Sequence, residues 1–498
     1  MPYELQSRQT PMRFTPSKAS LSLTLVLIAF ALRVLGLDAQ SLWRDEVDAL
    51  RFAIQPMAQL RAMFVQPGQN GPLFYLLLRP WILAAGQSEF ALRFPSALAG
   101  TLAIPLVVAV GRELRWPRAA RRLAALLVVT HPYLIWYSQE AKMYALLVVV
   151  VLCSQLSLLR ALRLGGWRRW ILYWLFTTLS FYLHVLAALL LLVEGLWFLL
   201  WRPRAWTRWA GFATAMAGLT LPYLPMARWQ IQLWLSPQFA PGFPFIPLDQ
   251  MITILLLAFS RGLYPSLALW PVLPSLFLAL SPFWLPIPSR QAGRRELAAV
   301  LLWLILPIAS LYAISLRVPL FTDRYLIWIA PAFLLLTALG AWTIVQLHRG
   351  LGMIVTGAVL ALYLVATVYQ ANTPIKADFR RATAWVESRR APGDAVMLVI
   401  PYLRYTYDYY AQESPPFIEP PYTQNGMTDE EVAQIMAERL AGHCDVWWVA
   451  SEEESWDRRR LARSWLEAHA RLLEGETFAR IEVRHYRLNR CGSGELGS

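Results

Sequence analysis

The sequence contains 498 residues, of which 57% are hydrophobic and only 16% are charged, and its formal net charge is +14. Soluble domains carry roughly 25% charged residues, so this composition excludes a mostly soluble, disordered or fibrous chain and indicates a protein that crosses a membrane many times. In such a protein, excess basic charge marks cytoplasmic loops and contacts with anionic lipid, not nucleic acid.

Apolar runs of about 20 residues predict the membrane spans, and the basic residues of short loops predict their orientation. The N-terminus carries Arg8, Arg13 and Lys18 and is predicted to lie in the cytoplasm, with the first apolar run as an uncleaved anchor. Eleven spans are predicted: residues 21–37, 91–111, 123–137, 141–162, two short helices within 170–201 that turn near His184, 210–227, 265–286, 297–316, 325–347 and 353–369.

Two further apolar runs, 71–86 and 251–263, are predicted to lie as helices in the outer membrane–water interface. For residues 71–86, the number of crossings decides between a span and an interfacial helix. If this run also crossed the membrane, the five arginines of the basic loop after residue 111 would lie outside the cell. Residues 228–250, rich in proline and aromatic residues, are predicted to form an external loop.

After residue 370 the composition changes to that of a soluble domain, so residues 1–370 and 371–498 are predicted to form separate domains. Alternating helices and strands predict a small α/β domain. The predicted helices are 377–389, 428–440 and 461–472, and the predicted strands are 395–400, 446–450 and 481–488. With eleven crossings this domain lies outside, where Cys444 and Cys491 could pair in an oxidising compartment.

The external loop formed by residues 38–90 contains the first polar side chains suited to chemistry. Arg44, Asp45 and Glu46 directly follow the first span. Asp45 at the membrane surface is suited to act as a general base, and the alternative is an acidic first helical turn stabilised by the helix dipole. Arg44 either keeps Asp45 ionised or simply pairs with it.

Charged residues also stand where later spans meet. Glu140 and Lys142, followed by Tyr144, lie between two spans, where a charge is costly and therefore marks a candidate functional site. The alternative is an ion pair at the water boundary. Arg324 and Tyr325 open another span, and a guanidinium is a fork of donors matched to phosphate oxygens. The alternative there is an anchor at the membrane interface.

Three further residues border these loops. Asn70 and Tyr75 open the interfacial helix, where the alternative is a turn followed by a proline-initiated helix. His184 lies at the turn of the double crossing, where the alternative is a structural histidine. Together the external turns supply a carboxylate base, a second acid and two cations at one membrane face, which is the set that a phosphate-linked lipid donor requires.

In these loops the sequence resembles the membrane glycosyltransferases of the C-type fold, which include protein O-mannosyltransferases, the aminoarabinose transferase acting on lipid A, and related bacterial enzymes. The blocks that carry the resemblance occur in the family's order: SLWRDE, GPLFYLLLRPW, EFALRFPSALAGTLAIPLVVAVGREL, WYSQEAKMYAL and DRYLIWIAPAFLLL. The resemblance covers residues 20 to about 350, and the ordered set of blocks is more specific than any single block.

The resemblance implies an all-α polytopic fold and an inverting transfer of a sugar from a polyprenyl-phosphate donor to an acceptor hydroxyl. The family's acidic residue that deprotonates the acceptor falls on Asp45, and the leaving phosphate would be stabilised by basic positions. The predicted roles are catalytic for Asp45, Glu46 and Glu140, donor-phosphate-binding for Lys142, Arg324, Tyr325 and Arg44, and substrate-binding for Asn70, Tyr75, Tyr144 and His184.

The sequence departs from the family where Asn70 and Gly71 replace a common His-Pro pair, and the second acidic loop lacks a paired aspartate motif. We therefore predict no metal ion or other cofactor, with a divalent metal as the disfavoured alternative. The predicted partners are the lipid-linked donor, membrane lipid and a protein, glycan or glycolipid acceptor. The predicted location is a bacterial inner membrane, with the C-terminal domain outside the cytoplasm.

A transporter or flippase is the main alternative function. It would need polar groups spread through the bilayer depth or an internal repeat, and the sequence indicates neither. A receptor that binds through the outer domain and an enzyme that uses a lipid-diphosphate donor are the remaining candidate functions.

Overall fold

The computed structural model describes residues 18–65, 71–236, 243–265, 270–287 and 293–491. Up to residue 372 the described chain is helical. The helices are α1 Lys18–Val34, α2 Arg44–Ile54, α3 Met57–Ala62, α4 Pro72–Ala85, α5 Glu89–Glu113, α6 Arg118–Thr130, α7 Pro132–Ser138, α8 Tyr144–Leu164, α9 Trp167–Leu183, α10 Leu190–Trp201, α11 Trp206–Leu235, α12 Leu248–Arg261, α13 Val272–Leu280, α14 Arg294–Ser315, α15 Ala330–Leu347 and α16 Arg349–Asn372.

Among the described residues, five helical segments are long and apolar enough to cross a membrane: Glu89–Glu113, Tyr144–Leu164, Arg294–Ser315, Asp323–Leu347 and Arg349–Asn372. The most apolar window of Asp323–Leu347 is 94% buried within the protein, whereas that of Arg349–Asn372 is only 22% buried. The former is therefore the central helix of the bundle, and the latter presents most of its surface outward. The predicted number of eleven spans stays a prediction.

Two predicted membrane boundaries differ from the structure. The predicted span 123–137 is divided at His131, because Pro132 starts a new helix and His131 caps it by accepting a hydrogen bond from the backbone N–H of Leu134. The predicted external loop 228–250 is wrong in its first part, since α11 continues to Leu235. Between Pro225 and Pro237 the sequence contains no proline that would end α11 earlier.

Several predicted elements are confirmed or shortened. The chain breaks at His184 between α9 and α10, as the double crossing predicts, and the two interfacial runs form α4 and α12. The predicted span 265–286 is shorter: its described helix is α13, followed by a 3-10 turn, while residues 266–269 lie outside the described residues.

The C-terminal domain contains a five-stranded sheet with helices packed on it. Its elements are α17 Phe379–Glu387, β1 Ala395–Leu398, α18 Arg404–Tyr410, β2 Phe417–Ile418, α19 Asp429–Arg439, β3 Asp445–Ala450, α20 Leu461–His469, β4 Ala470–Phe478 and β5 Ile481–Leu488. The strand order is β2-β1-β3-β5-β4, with β1 parallel to β2 and β3 and with β5 antiparallel to β3 and β4. The predicted α/β domain is therefore confirmed.

The last helix predicted for this domain, residues 461–472, ends earlier in the structure, at His469. Residues 470–472 belong to β4, which lies at the edge of the sheet and pairs only with β5. Most β4 side chains are exposed, so the strand lacks the apolar alternation that identifies a half-buried strand. Cys444 and Cys491 form a disulfide with a Cα–Cα distance of 5.6 Å, which ties the start of β3 to the chain after β5.

Candidate active site

The carboxylate of Glu46 lies at the centre of a buried cluster of charged groups. Glu46 is in the first turn of α2 and is fully buried. Its Oε1 accepts hydrogen bonds from Arg93 Nε at 2.7 Å and from the backbone N–H of Ala141 at 2.9 Å. Its Oε2 accepts from Arg93 Nη2 and from Lys376 Nζ, each at 2.8 Å.

Burial by itself raises the pKa of Glu46, but the charges and hydrogen bonds of Arg93 and Lys376 outweigh burial and hold that pKa well below its usual range. The carboxylate is thus ionised and fully engaged with the protein. This arrangement favours a positioning role for Glu46, and the catalytic role predicted for it stays a prediction.

Arg93, on α5, also fixes the chain that connects α1 to α2. Its Nη1 donates to the carbonyls of Leu37 at 2.5 Å and Gln40 at 2.7 Å, and its Nη2 donates to the carbonyl of Ser41 at 3.0 Å. The guanidinium therefore holds the entry to α2 in one position. The sequence pattern did not indicate this role, although Arg93 lies within one of the blocks that carry the resemblance.

Lys376 is the second residue whose role the sequence pattern did not indicate. It follows α16, and its Nζ lies 2.8 Å from Glu46 Oε2 and 3.8 Å from Glu140 Oε1, above the ring of Trp136. The sequence contains three lysines among 46 basic residues. Two of them, Lys142 and Lys376, lie in this region. Because lysine is so rare in this chain, each lysine after the first span could have been singled out as a candidate site residue from the sequence. Burial lowers the pKa of Lys376, and the two carboxylates oppose that shift.

Glu140 lies in the loop between α7 and α8 and is buried. Its Oε2 has no hydrogen-bond partner in the described part of the chain. Burial raises its pKa to about 7, although the charge of Lys376 opposes the shift. Glu140 can therefore exchange a proton near neutral pH, unlike the ionised Glu46 beside it.

Asp45 occupies a different environment, although it is next to Glu46 in sequence. Its Oδ2 lies 3.4 Å from Arg324 Nη2, and both side chains are partly exposed, at 22% and 24%. Arg324 also lies over the ring of Trp43, 5.2 Å from the centroid. Because successive helical residues are rotated by about 100°, Glu46 faces the interior of the bundle while the side chain of Asp45 stays partly exposed. Asp45 is thus the more accessible of the two carboxylates.

Lys142 lies in the loop before α8 and is buried. Its Nζ lies 5.9 Å from the centroid of the Tyr75 ring on α4. Burial lowers its pKa, but the side chains of Tyr75, Asp45 and Asp48 outweigh burial and raise it. Lys142 is therefore cationic, and it interacts electrostatically with both members of the pair formed by Asp45 and Arg324.

Aromatic rings line the approach to Arg324. The His184 ring lies 4.7 Å from the Tyr325 ring and 6.4 Å from the Tyr144 ring. His184 Nδ1 accepts a hydrogen bond from the backbone N–H of Leu186, while its Nε2 has no partner among the described residues. The structure therefore brings Tyr144, His184 and Tyr325 together, with an unsatisfied ring nitrogen among them.

Two predicted site residues stand apart. Arg44 lies over the ring of Tyr402 in the C-terminal domain, 3.8 Å from its centroid, and its Nε lies 3.7 Å from Asp48 Oδ2. Arg44 thus pairs with Asp48, and Asp45 pairs with Arg324. The role predicted for Arg44 in binding the donor phosphate stays a prediction. Asn70 lies outside the described residues.

Within the described ranges, no group of three or more His, Cys, Asp or Glu side chains is arranged to hold a metal ion.

A second buried polar cluster lies among α8, α9 and α10. Glu194 accepts hydrogen bonds from Ser154 at 2.7 Å and from Tyr173 at 2.8 Å, and Ser154 Oγ lies 2.6 Å from Thr177 Oγ1. Polar groups therefore do not gather at one membrane face only, in contrast to the expectation from the sequence.

Comparison with known proteins shows what this sequence and fold are similar to. Residues 69–229 match the family described as dolichyl-phosphate-mannose-protein mannosyltransferase. The structure is similar to ArnT from Cupriavidus metallidurans bound to undecaprenyl phosphate, with a TM-score of 0.59 and 14% identity over 94% of this chain and 98% of that one. No curated protein sequence matches the chain.

Two further solved structures share the fold. The archaeal oligosaccharyltransferase AglB from Archaeoglobus fulgidus, in complex with an inhibitory peptide and a dolichol-phosphate, has a TM-score of 0.55 and 13% identity over 91% of this chain and 72% of that one. The arabinofuranosyltransferase AftD from Mycobacteria has a TM-score of 0.52 and 13% identity, over 94% of this chain and 39% of that one.

The fold expected from the resemblance is thus confirmed: the chain shares the C-type fold of these glycosyltransferases. The match to the mannosyltransferase family spans residues 69–229, which include Glu140, Lys142 and His184 but neither Asp45 nor Arg324.

Proposed function

We propose that this protein transfers a sugar, with inversion at the anomeric carbon, from a polyprenyl-phosphate donor to an acceptor hydroxyl at the outer face of a bacterial inner membrane. The observation that carries the proposal is the partly exposed pair of Asp45 and Arg324, in which Oδ2 and Nη2 are 3.4 Å apart. Beside this pair lies the buried cation Lys142. A carboxylate and two cations thus lie close enough to interact electrostatically.

The reaction is a single displacement. The acceptor oxygen attacks the anomeric carbon as its proton passes to Asp45, and the bond between that carbon and the donor phosphate oxygen breaks. The electrons of that bond leave with the polyprenyl phosphate, and Arg324 and Lys142 stabilise its negative charge. A phosphate leaving group needs little protonation, so one base and a cationic clamp are sufficient.

The remaining predicted residues have supporting roles in this proposal. Glu46 holds Arg93 and Lys376 in place and so fixes the start of α2, which carries Asp45. Glu140 completes the arrangement around Lys376. Tyr75 lies beside Lys142, and Tyr144, His184 and Tyr325 lie together near Arg324; in this proposal they contact the donor sugar or its phosphate.

The proposed donor and location rest on separate observations. Two structural relatives are described in complex with undecaprenyl phosphate and with a dolichol-phosphate, so we propose a lipid of that chemical class here. The disulfide between Cys444 and Cys491 is of a kind that persists in oxidising compartments. This bond supports placement of the C-terminal domain outside the cytoplasm, with the acceptor a protein, glycan or glycolipid.

A test on purified protein separates transfer from transport. The full chain is reconstituted in vesicles with a polyprenyl-phosphate sugar labelled in the sugar, and both the release of polyprenyl phosphate and the movement of intact donor between leaflets are measured. We expect release of polyprenyl phosphate that depends on acceptor or water. Movement of intact donor without any release would instead identify a flippase and contradict the proposal.

A further inference from the structure

A basic cavity lies between α1, α5 and α6, away from the candidate active site. Its volume is about 690 Å³. Four arginines, Arg112, Arg118, Arg121 and Arg122, contribute to its lining, and the other lining residues are apolar.

The cavity lies at the opposite end of the helical bundle from the buried carboxylates. Helix α5 carries Arg93, which binds Glu46, in its first turns and Arg112 at its other end. At 1.5 Å per residue these two arginines are about 28 Å apart along the helix axis. A bilayer core is roughly 30 Å thick, so the cavity and the candidate active site open toward different leaflets.

The arginines of the cavity repel one another. Arg112, Arg118 and Arg122 all act electrostatically on Arg121. Within the described ranges, none of the four side chains forms an ion pair with a carboxylate, in contrast to Arg160 and Arg163, which both bind Glu113. Four guanidinium groups around one cavity, without an acidic partner among the described residues, favour a bound anion.

The rest of the cavity lining is apolar. It includes Leu25 and Val26 from α1 and Ile104 and Val108 from α5. A free phosphate ion gains nothing from these side chains, whereas a lipid places its phosphate on the arginines and the start of its acyl chains against the aliphatic side chains. The sequence before α1 is a poor alternative occupant, because it carries Arg8 and Arg13 and one acidic residue, Glu4.

We infer that this cavity binds the phosphate headgroup of an anionic phospholipid from the leaflet opposite the active site. The lipid phosphate neutralises the repulsion among the arginines, and guanidinium groups bind phosphate through paired hydrogen bonds. The bound lipid thereby joins the ends of α1, α5 and α6. This site is independent of the sugar donor and of the proposed role of Asp45.

Native mass spectrometry of the full chain tests the inference, with phosphatidylglycerol and phosphatidylcholine offered at equal concentration. We expect retention of phosphatidylglycerol by the wild type and a roughly 10- to 30-fold weaker retention by Arg112→Gln combined with Arg121→Gln. The matched control combines Arg168→Gln with Arg349→Gln, two exposed arginines outside the cavity, and should retain the lipid like the wild type.

Three outcomes would overturn the inference. The first is equal retention of phosphatidylglycerol by the cavity variant and the control variant, and the second is equal retention of both lipids by the wild type. The third concerns the source of the phosphate: if inorganic phosphate or undecaprenyl phosphate displaces phosphatidylglycerol at equal concentration, the cavity is a general anion site or a second donor site. Size-exclusion profiles of the variants establish that they remain folded.

Discussion

Two neighbouring acidic residues show how much of the site depends on side-chain partners. Asp45 is partly exposed and pairs with Arg324, whereas Glu46 is buried and bound by Arg93 and Lys376. The Asp-Glu pair and its place after the first span could be predicted from the sequence. The different environments could not, because Glu46 meets Arg93 across 47 positions and Lys376 across 330 positions of the chain.

Arg324→Ala should weaken the donor complex more than it slows the chemical step. The substitution removes the guanidinium N–H groups that bind the phosphate of the sugar donor in our proposal. We therefore expect the KM for a polyprenyl-phosphate sugar to rise roughly 10- to 100-fold, as loss of a hydrogen bond between charged groups implies. Donor titration of purified protein measures this change. Arg317→Ala, at an exposed position that precedes the same segment, is the control and should leave KM unchanged. If Arg324→Ala leaves both KM and kcat unchanged, Arg324 is an interface anchor only.

Glu140 should make stability depend on pH near neutrality. Burial raises its pKa to about 7 from an ordinary value of 4.5, so its contribution is complete below pH 4.5 and is lost as the pH rises through 7. Glu140→Gln imitates the protonated form. We expect the wild type to lose about 1–3 kcal/mol relative to this variant between pH 5 and 8, measured as Tm in the same detergent. A difference in Tm that does not vary with pH would contradict the raised pKa.

At the scale of elements, the short connection between α16 and α17 joins the two domains. Gln40 Oε1 accepts hydrogen bonds from the backbone N–H groups of Ile375 and Lys376, both at 2.9 Å. Ser41 Oγ donates to the carbonyl of Ala377 at 2.7 Å. The segment that carries Lys376 is thereby fixed against the segment that precedes α2, so the C-terminal domain contributes to the geometry around Asp45.

Lys376→Met should destabilise this connection. The substitution leaves Glu46 buried with one cationic partner fewer, and removal of one member of a buried pair costs about 3–5 kcal/mol. We expect a lower Tm and a lower kcat with a nearly unchanged KM for the donor. Lys376→Arg keeps the positive charge and should restore part of both Tm and kcat. Equal losses in the two variants would contradict this explanation, because a positive charge at position 376 would then restore neither Tm nor kcat.

Elements with strong patterns could be predicted from the sequence, and those set by neighbours could not. The buried strands β1 and β3 are short apolar runs, AVML and DVWWVA, and both were predicted. The exposed edge strand β4 has no such pattern and was predicted in part as helix. Likewise, α2 lies within a polar segment, and its buried face follows from packing against α4 and α18.

At the scale of the whole molecule, charge is divided between the two ends of the helical bundle. The carboxylates and lysines of the candidate active site lie at one end, and the arginine cavity lies about 28 Å away along α5. The basic loops could be predicted from the sequence, because several arginines cluster within each of a few short segments. Their convergence on one cavity could not, since it depends on how α1, α5 and α6 pack.

The central claim is that Asp45 is the base of a glycosyl transfer, and glycolipid profiling by mass spectrometry tests it most directly. The cells compared express the wild type, Asp45→Asn, Asp48→Asn or no protein. Asp48 lies one turn further along α2 and pairs with Arg51 at 2.9 Å, so Asp48→Asn is the matched control.

We predict that the wild type and Asp48→Asn yield a glycosylated product. Asp45→Asn should lower its formation by about 10²–10⁴-fold, so that the polyprenyl-phosphate sugar accumulates as in cells without the protein. The same amount of product from Asp45→Asn as from the wild type would contradict the account.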